Sequence, residues 1–311
     1  MIYVDLKGNL GNQLFIYAFA RKIQYITGQN IVLSTYNLEK YFPDYTLSIN
    51  QYKLNEKCSI EKFKFPFYLN PNFFLNKVFN KIFPPKNKIR MFFEKVRFTL
   101  LRKFGILYWM GDSFVDVDFN SLKSFKNIYV SGFWQSPMYF EDIRDILKSE
   151  LEPNESLSDE SEKLLGIIKS TNSTCVTIRR GDYVSNSKIV DRYYLCDLKY
   201  FKKGIDLIDK ESSNSTLICF SDDIAWAKEN ITAQVPTYFE SGKDSVSHKL
   251  LLMSNCKNFI LSNSSFSWWA EFLSDDSGIT YAPSRWYSNG SGNDIYRENW
   301  KLIPVGEDIY E

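Results

Sequence analysis

The amino-acid sequence predicts an α/β protein with two doubly wound domains, each a parallel sheet flanked by helices. Three observations support this fold class. The chain has 311 residues, which is long for one hydrophobic core and suits two domains of about 150 residues. Residues 2–33 follow the order strand, glycine turn, helix and strand, which is a βαβ unit. Residues 151–311 alternate apolar strand-like runs with helical stretches, as a second doubly wound domain does.

The N-terminal domain is predicted to span residues 1–150. Its first elements are a strand at Ile2–Leu6, a glycine turn at Gly8–Asn12, a helix that ends near Gly28 and a strand at Ile31–Leu33. Residues from about 58 to 110 are aromatic and basic and show no strand alternation, so we expect an irregular insertion there.

Within this insertion, the stretch from 77 to 103 carries nine basic residues and a single acid, Glu94. Its second half has apolar side chains at helical spacing, with lysines and arginines around the rest of the helix. The apolar positions are Ile89, Phe92, Phe93, Val96, Leu100 and Phe104. We favour a basic, solvated surface above an apolar stripe that packs on the core. The alternative is a membrane-surface helix that holds the protein near a lipid-linked partner.

A polar stretch from Glu150 to Glu160 marks the domain boundary and runs into a helix. The C-terminal domain, residues 151–311, then contains strand-like runs at Cys175–Ile178, Leu217–Phe220 and Phe259–Leu261. Each run is followed by polar residues. Because ligands of an open α/β sheet bind beyond the carboxyl ends of its strands, these polar segments are the candidate site.

Composition limits the chemistry. The net charge of +1 gives no overall field that would attract nucleic acid, and five scattered cysteines are typical of free thiols in a reducing compartment. The single histidine, His248, argues against a histidine-based zinc site or a Ser-His-Asp triad. Neither a signal peptide nor an apolar run of about 18 residues is recognisable, so we expect a cytoplasmic protein, either soluble or peripheral at the inner face of the cytoplasmic membrane.

Two segments have the chemistry of an anion site. Arg179, Arg180 and Asp182 follow a buried strand, where a guanidinium fork is suited to a diphosphate; a surface ion pair is the structural alternative. In the turn Gly8–Asn12 the glycines allow close backbone approach, and the helix start that follows offers N–H groups to an anion or a sugar oxygen. This turn alone is equally consistent with a structural role.

Two further segments follow later strands. Asp222 and Asp223 have the carboxylates that can accept from guanine, or either can cap the helix that comes next. Residues 263–269 combine Ser264 and Ser265 at a helix start with Trp268 and Trp269, which suits a phosphate and a sugar or base; capping serines with core aromatics are the alternative.

An acidic pair, Asp116 and Asp118, has the short spacing of a metal-dependent glycosyltransferase signature. Two acids one residue apart arise often by chance. We therefore expect no metal role for them.

Together these segments resemble the α-1,2-fucosyltransferases of bacteria and animals, glycosyltransferase family 11. The resemblance is carried by Gly8–Ala18, Gly132–Ser136 with Tyr139 and Phe140, Ile178–Val184, Phe220–Asp223 with Trp226, Leu252–Lys257, Asn263–Trp269, and Ala282, Pro283 and Trp286. These segments extend over almost the whole chain in the order of the family.

The resemblance implies a two-domain GT-B fold with a central cleft, inverting transfer from GDP-fucose to a galactose 2-hydroxyl, and no required metal or cofactor. It assigns Arg179 to the donor diphosphate and Asn12 to the sugar, and Asp182 closes the arginine motif and is our candidate base. The other donor-binding residues it implies are Gly11, Arg180, Asp222, Asp223, Asn263, Ser264, Ser265 and Phe266. The expected acceptor is a glycan of a bacterial surface polysaccharide, in free or lipid-linked form.

One position departs from the family. Members of the family usually carry His two residues before the first arginine, where this chain has Thr177, so a histidine-dependent proton transfer is excluded there. Two alternatives stay open. A fucosyltransferase of another linkage, such as 1,6 or protein-directed, shares the arginine motif but lacks the 263–269 block. An inactive sugar-nucleotide sensor would bind the donor without transfer.

Overall fold

The structure of the protein, a computed structural model, describes residues 1–66, 78, 81–82, 88–181, 193, 195–275, 278–290 and 292–306. The chain divides into an N-terminal unit, Met1–Leu151, and a C-terminal unit, Glu152–Glu311. This division lies one residue from the predicted boundary. The paired strands of each unit form a parallel sheet, so the predicted α/β class with two parallel-sheet domains is confirmed.

The N-terminal unit contains strands β1 (Ile2–Asp5), β2 (Ile31–Ser34), β3 (Cys58–Glu61), β4 (Ile106–Trp109) and β5 (Ile128–Gly132). Its described helices are α1 (Leu10–Thr27), α2 (Tyr36–Tyr41), α3 (Lys88–Leu101) and α4 (Arg144–Glu150). The strand order is β3-β2-β1-β5-β4. The chain moves outwards from β1 through β2 to β3 and returns to the other side of β1, so β1 and β5 flank a topological switch point.

The predicted βαβ unit is confirmed at the start of the chain. Helix α1 ends where Gly28 adopts a left-handed conformation with φ of 71°, and the Gly28 N–H donates to the Gln24 carbonyl. On the core side of the helix, Phe19 stacks on Trp134 with ring centroids 3.9 Å apart. This contact joins α1 to the segment that follows β5.

Strands β3 and β4 lie inside the stretch that we predicted as an irregular insertion, so that prediction is wrong at both ends. Each strand has only four residues. Strand β4 is buried along its whole length and shows no alternation. Strand β3 is an edge strand with three half-buried residues and an exposed one, Glu61. Neither strand therefore carries the period of two by which a strand is recognised in a sequence.

Helix α3 corrects a second expectation. We favoured a helix whose apolar stripe packs on the core, but the six side chains of that stripe are 40% to 73% exposed. The helix instead packs through its opposite face, where Glu94 and Phe98 are buried. In the described part of the chain no helix has both the length and the apolar character needed to cross a membrane.

The C-terminal unit contains strands β6 (Asn172–Ile178), β7 (Ser215–Ser221), β8 (Thr237–Phe239), β9 (Asn258–Ile260), β10 (Thr280–Pro283) and β11 (Lys301–Ile303). Its described helices are α5 (Asp159–Ser170), α6 (Leu198–Glu211), α7 (Ile224–Asn230), α8 (Val246–Ser254) and α9 (Ser265–Phe272). The strand order is β11-β10-β9-β6-β7-β8, which puts the switch point between β6 and β9. The polar stretch at the boundary runs into α5 as predicted, and Ser158 caps this helix.

All five cysteines are free thiols: Cys58 is half-buried, and Cys175, Cys196, Cys219 and Cys256 are buried. Burial raises the pKa of Cys219 to about 12. For Cys58, burial and then the nearby Glu150 charge raise the pKa to about 12. Their thiols therefore keep their protons at neutral pH and act as small apolar groups.

Candidate active site

The arginine motif follows β6 at the switch point of the C-terminal sheet. Strands β6 and β7 run in register with Ile178 opposite Ser221, so the residues after each strand emerge side by side. Arg179 Nη1 lies 2.9 Å from Asp222 Oδ2, and the Arg180 backbone N–H donates to Asp222 Oδ1 at 2.8 Å. Asp222 therefore orients the arginine motif from the neighbouring strand.

Close approach between these segments depends on Gly181. A Cβ at this position would lie 2.7 Å from Asp222 Oδ2, a distance that forces a shift. Asp182, which we predicted to close the motif, lies outside the described residues.

The two arginines have different surroundings. The guanidinium of Arg180 lies 4.0 Å above the Trp226 ring, and its Nε is 3.6 Å from Asp223 Oδ2. The Arg179 side chain is 31% exposed beside Asp222. A charged fork that is fixed in position and still reaches solvent is the arrangement that binds a phosphate oxygen.

The two acids of the Asp222–Asp223 pair divide the roles that we considered for them. Asp223 caps α7, because its Oδ1 accepts from the Trp226 N–H at 3.1 Å. Asp222 has both carboxylate oxygens engaged by the arginine motif. The sequence did not show this pairing, because it depends on the register of two strands that are distant along the chain.

The serine-rich segment lies on the other side of the switch point, after β9. Ser264 caps α9 through its hydroxyl, which accepts from the Phe266 N–H at 3.3 Å. Ser264, Ser265 and Phe266 are half-buried at the first turn of α9, where helix N–H groups favour an anion.

Asn263, Trp268 and Trp269 are buried, which limits the roles that we considered for them. Asn263 is 1% exposed, and its amide donates to the Trp286 carbonyl at 2.8 Å. Its oxygen accepts from the Cys196 thiol, whose pKa burial raises to about 12. Trp268 and Trp269 are fully buried in the core, so the idea that they pack under a sugar or base is wrong.

The N-terminal turn lies at the switch point of the other sheet. Gly8 has φ of +67°, and a Cβ there would lie 2.3 Å from Asn12 Nδ2. Gln13 is fully buried and donates to the Gly8 carbonyl at 2.7 Å, which fixes the turn. Gly11 is buried in the first turn of α1, and Asn12 beside it is half-buried.

Asn12 has a partner that sequence reasoning missed. Its Oδ1 accepts from Gln135 Nε2 at 2.7 Å, so residues after β1 and after β5 meet across the switch point. On the same two strands, the Lys7 ammonium next to β1 donates to Ser131 Oγ of β5 at 2.7 Å and lies 3.2 Å from the buried Asp5 carboxylate. Two charged residues beside an apolar strand were the available signal for this network.

The acidic pair in the N-terminal unit does not form a cluster. Asp116 and Asp118 are exposed on either side of the buried Val117, and Asp118 accepts from the Ser121 N–H at 3.2 Å. Across the residues that the structure describes, no group of three or more His, Cys, Asp or Glu side chains is arranged to hold a metal ion.

The profile of Glycosyl transferase family 11 matches residues 1–304. The chain belongs to glycosyltransferase family 11. The resemblance that the sequence motifs indicated is therefore confirmed, and the protein is a glycosyltransferase.

The chain is similar to several known glycosyltransferases, one of which is named for O-antigen biosynthesis. The chain is 30% identical to an alpha-1,2-colitosyltransferase of Escherichia coli, over 97% of this chain and 99% of the relative. It is 27% identical to the O-antigen biosynthesis glycosyltransferase WbnK of Escherichia coli, over 96% and 99%. The human galactoside alpha-(1,2)-fucosyltransferase 1 is 24% identical over 56% of this chain and 49% of its own length. The fucosyltransferase NodZ from Bradyrhizobium aligns over 88% and 91% with 14% identity and a TM-score of 0.46.

At the position where this chain departs from the family motif, Thr177 bonds within the sheet. Thr177 is 2% exposed, and its Oγ1 accepts from the Ser262 N–H at 2.9 Å. The hydroxyl joins the ends of β6 and β9 at the switch point. This position faces the interior, so in this family 11 protein it bonds the sheet instead of meeting solvent.

Proposed function

We propose that this protein transfers L-fucose from GDP-fucose to the 2-hydroxyl of a galactose-type acceptor, with inversion and without a metal ion or other cofactor. The observation that carries the proposal is the Arg179–Asp222 pair at the carboxyl edge of the C-terminal sheet, where the two side chains lie 2.9 Å apart. Membership of family 11 and the fucosyltransferase and O-antigen relatives support it.

Arg179 is the proposed contact to the donor diphosphate. In an in-line displacement through an oxocarbenium-like state, negative charge develops on the leaving GDP. A guanidinium oriented by Asp222 meets that charge without reorganising, and the first turn of α9 offers N–H groups on the other side of the switch point. Arg180 contributes a second positive charge beside Trp226.

The guanine base is proposed to contact Asp223. Asp222 already accepts from Arg179 and from the Arg180 N–H, whereas the Asp223 side chain is 41% exposed and uses Oδ1 to cap α7. A carboxylate accepting from the guanine edge selects guanine over adenine, because adenine has no equivalent pair of N–H donors.

Asn12 is the proposed contact to the reacting sugar or the acceptor hydroxyl, held by Gln135 at 2.7 Å. Asp182 stays our proposed base for the hydroxyl proton. The proposed acceptor is a galactose-containing glycan of a bacterial surface polysaccharide, in keeping with the O-antigen relative and with a protein that works in the cytoplasm or at the inner face of its membrane.

A second donor is favoured by one observation. The relative that is 30% identical over nearly the whole chain is an alpha-1,2-colitosyltransferase. Colitose is the 3-deoxy relative of L-fucose, so the two donors differ in one hydroxyl. A pocket that hydrogen-bonds this hydroxyl discriminates strongly against the deoxy sugar, whereas an apolar pocket tolerates both.

The deciding experiment incubates the purified protein with GDP-fucose, EDTA and a panel of β-galactosides, and measures GDP release and product linkage by NMR. We expect an α-1,2 product, and no transfer to the matched 2-deoxygalactoside. A parallel reaction with GDP-colitose compares kcat/KM for the two donors, and a preference for colitose would replace fucose in the proposal. An α-1,6 product, or tight GDP-fucose binding without turnover on any acceptor, would refute it.

A further inference from the structure

The outer face of helix α3 is apolar. We name as the docking face the helix side chains Ile89, Phe92, Phe93, Val96 and Leu100, together with Phe104 of the 3-10 turn that follows α3; they are 40% to 73% exposed. At about 100° per residue, Ile89, Val96 and Leu100 lie on the side of the helix opposite the buried Phe98. The helix therefore packs on its unit through one side and presents a continuous apolar stripe on the other.

The packed side explains why the helix keeps this orientation. Phe98 is 1% exposed. Its ring contacts Trp109 edge-on, with the ring centroids 6.0 Å apart, and lies tilted against Trp134, with the centroids 6.4 Å apart. The Arg97 guanidinium lies 4.0 Å above the Tyr108 ring of β4. A rotation that buried the docking face would break these contacts, so the exposed stripe is a stable feature of the surface.

The flanks of the docking face are basic. Arg90 and Arg97 lie along one edge, Lys95 lies along the other, and Lys103 follows in the short 3-10 turn after α3. The acid of the helix, Glu94, is 4% exposed and lies 3.5 Å from Arg90. An apolar stripe between two basic edges matches an anionic lipid surface, into which the aromatic side chains insert while the cations stay at the headgroups.

We propose that α3 docks the protein on the surface of an anionic membrane through the docking face. A second copy of the chain is a poorer partner, because pairing two such faces would bring like charges together. Soluble proteins seldom leave an apolar patch of this kind without a partner. The proposal stands independently of the transferase activity, and it would bring the enzyme to a lipid-linked acceptor.

Vesicle co-sedimentation of the full chain tests this. We compare phosphatidylcholine vesicles with vesicles that also contain phosphatidylglycerol, at low and high salt. We expect binding to the anionic vesicles that weakens with salt, because each basic residue near the surface adds about fivefold in partitioning. Equal binding to both vesicle types, or no binding to either, overturns the proposal.

Two pairs of variants separate the docking face from general surface effects. Phe92→Gln with Phe93→Gln should lower partitioning on the order of tenfold, and Lys95→Glu with Lys103→Glu by about 25-fold or more. The matched controls are Leu302→Gln, an exposed apolar residue of the C-terminal unit, and Lys202→Glu with Lys203→Glu, an exposed lysine pair on α6. If the control variants lose as much vesicle binding as the test variants, the proposal is overturned. It is also overturned if light scattering shows that the wild type is a dimer and that, among these variants, only Phe92→Gln with Phe93→Gln is monomeric, because the docking face would then pair two copies of the chain.

Discussion

The Arg179 guanidinium pairs with the Asp222 carboxylate at 2.9 Å, across the carboxyl ends of two neighbouring strands of one sheet. Asp222 also accepts from the Arg180 N–H at 2.8 Å. A carboxylate that makes both contacts sets the direction of the guanidinium fork. The same carboxylate is then less available to a nucleotide base, which has consequences for the two aspartates.

Replacing Asp222 and Asp223 separately should weaken nucleotide binding in different ways. Asp222→Asn disturbs the phosphate contact of Arg179, so GDP and ADP should lose affinity by a similar factor, about 10-fold or more. Asp223→Asn keeps a good helix cap but loses an acceptor for guanine, so GDP should weaken by about 10-fold while ADP changes little. Calorimetric titration of both nucleotides measures this, and a reversal of the two patterns would show that Asp222 contacts the base.

Substitution of Gly8 should lower the catalytic activity as well as the stability of the protein. Gly8→Ala puts a Cβ 2.3 Å from Asn12 Nδ2 and displaces the Asn12 side chain from Gln135. Gly28→Ala is the matched control, since Gly28 has φ of +71° but nothing within 4 Å of an added Cβ. Both variants should lose about 1 kcal/mol of unfolding free energy.

Steady-state kinetics distinguishes the two glycine variants. Only Gly8→Ala should also lower kcat, by on the order of 10-fold or more, because a contact to the reacting sugar moves. Equal kcat values in the two variants would remove Asn12 from the proposed site.

Thr177 should contribute to stability. Thr177→Val removes the hydroxyl that accepts from the Ser262 N–H at 2.9 Å and leaves that buried donor without its partner. The expected cost is about 1 to 3 kcal/mol of unfolding free energy, and Thr177→Ser, which keeps the oxygen, should lose less. Urea denaturation measures both. A Thr177→Val protein as stable as the wild type, but inactive, would instead give Thr177 a role in the reaction.

The features that the sequence predicted best are those determined by residues close together along the chain. The left-handed Gly28 ended α1 where expected. The Gly8 turn and the residues after β6, β7 and β9 lie at the carboxyl edges of their sheets because parallel strands all end at the same edge. The pairing of Arg179 with Asp222 could not be predicted from the sequence, because it depends on the register of β6 against β7.

Periodicity identifies an apolar face without showing what covers it. The stripe that begins at Ile89 has the pattern of a core-facing helix, yet Phe98 and Glu94 occupy the packed side. The opposite error concerned Trp268 and Trp269. We considered them as ligand-contacting side chains because they follow the capping serines, but both are buried in the core. Strands as short as β3 and β4 have too few residues to show a period at all.

The most direct test of the account is the turnover of Arg179→Ala with GDP-fucose and a β-galactoside in the presence of EDTA. The account predicts metal-independent transfer by the wild type, a kcat lower by on the order of 10²-fold in Arg179→Ala, and an intermediate value in Arg179→Lys, which keeps the charge but not the fork. A near-normal kcat in Arg179→Ala would contradict the proposal that this guanidinium stabilises the leaving diphosphate.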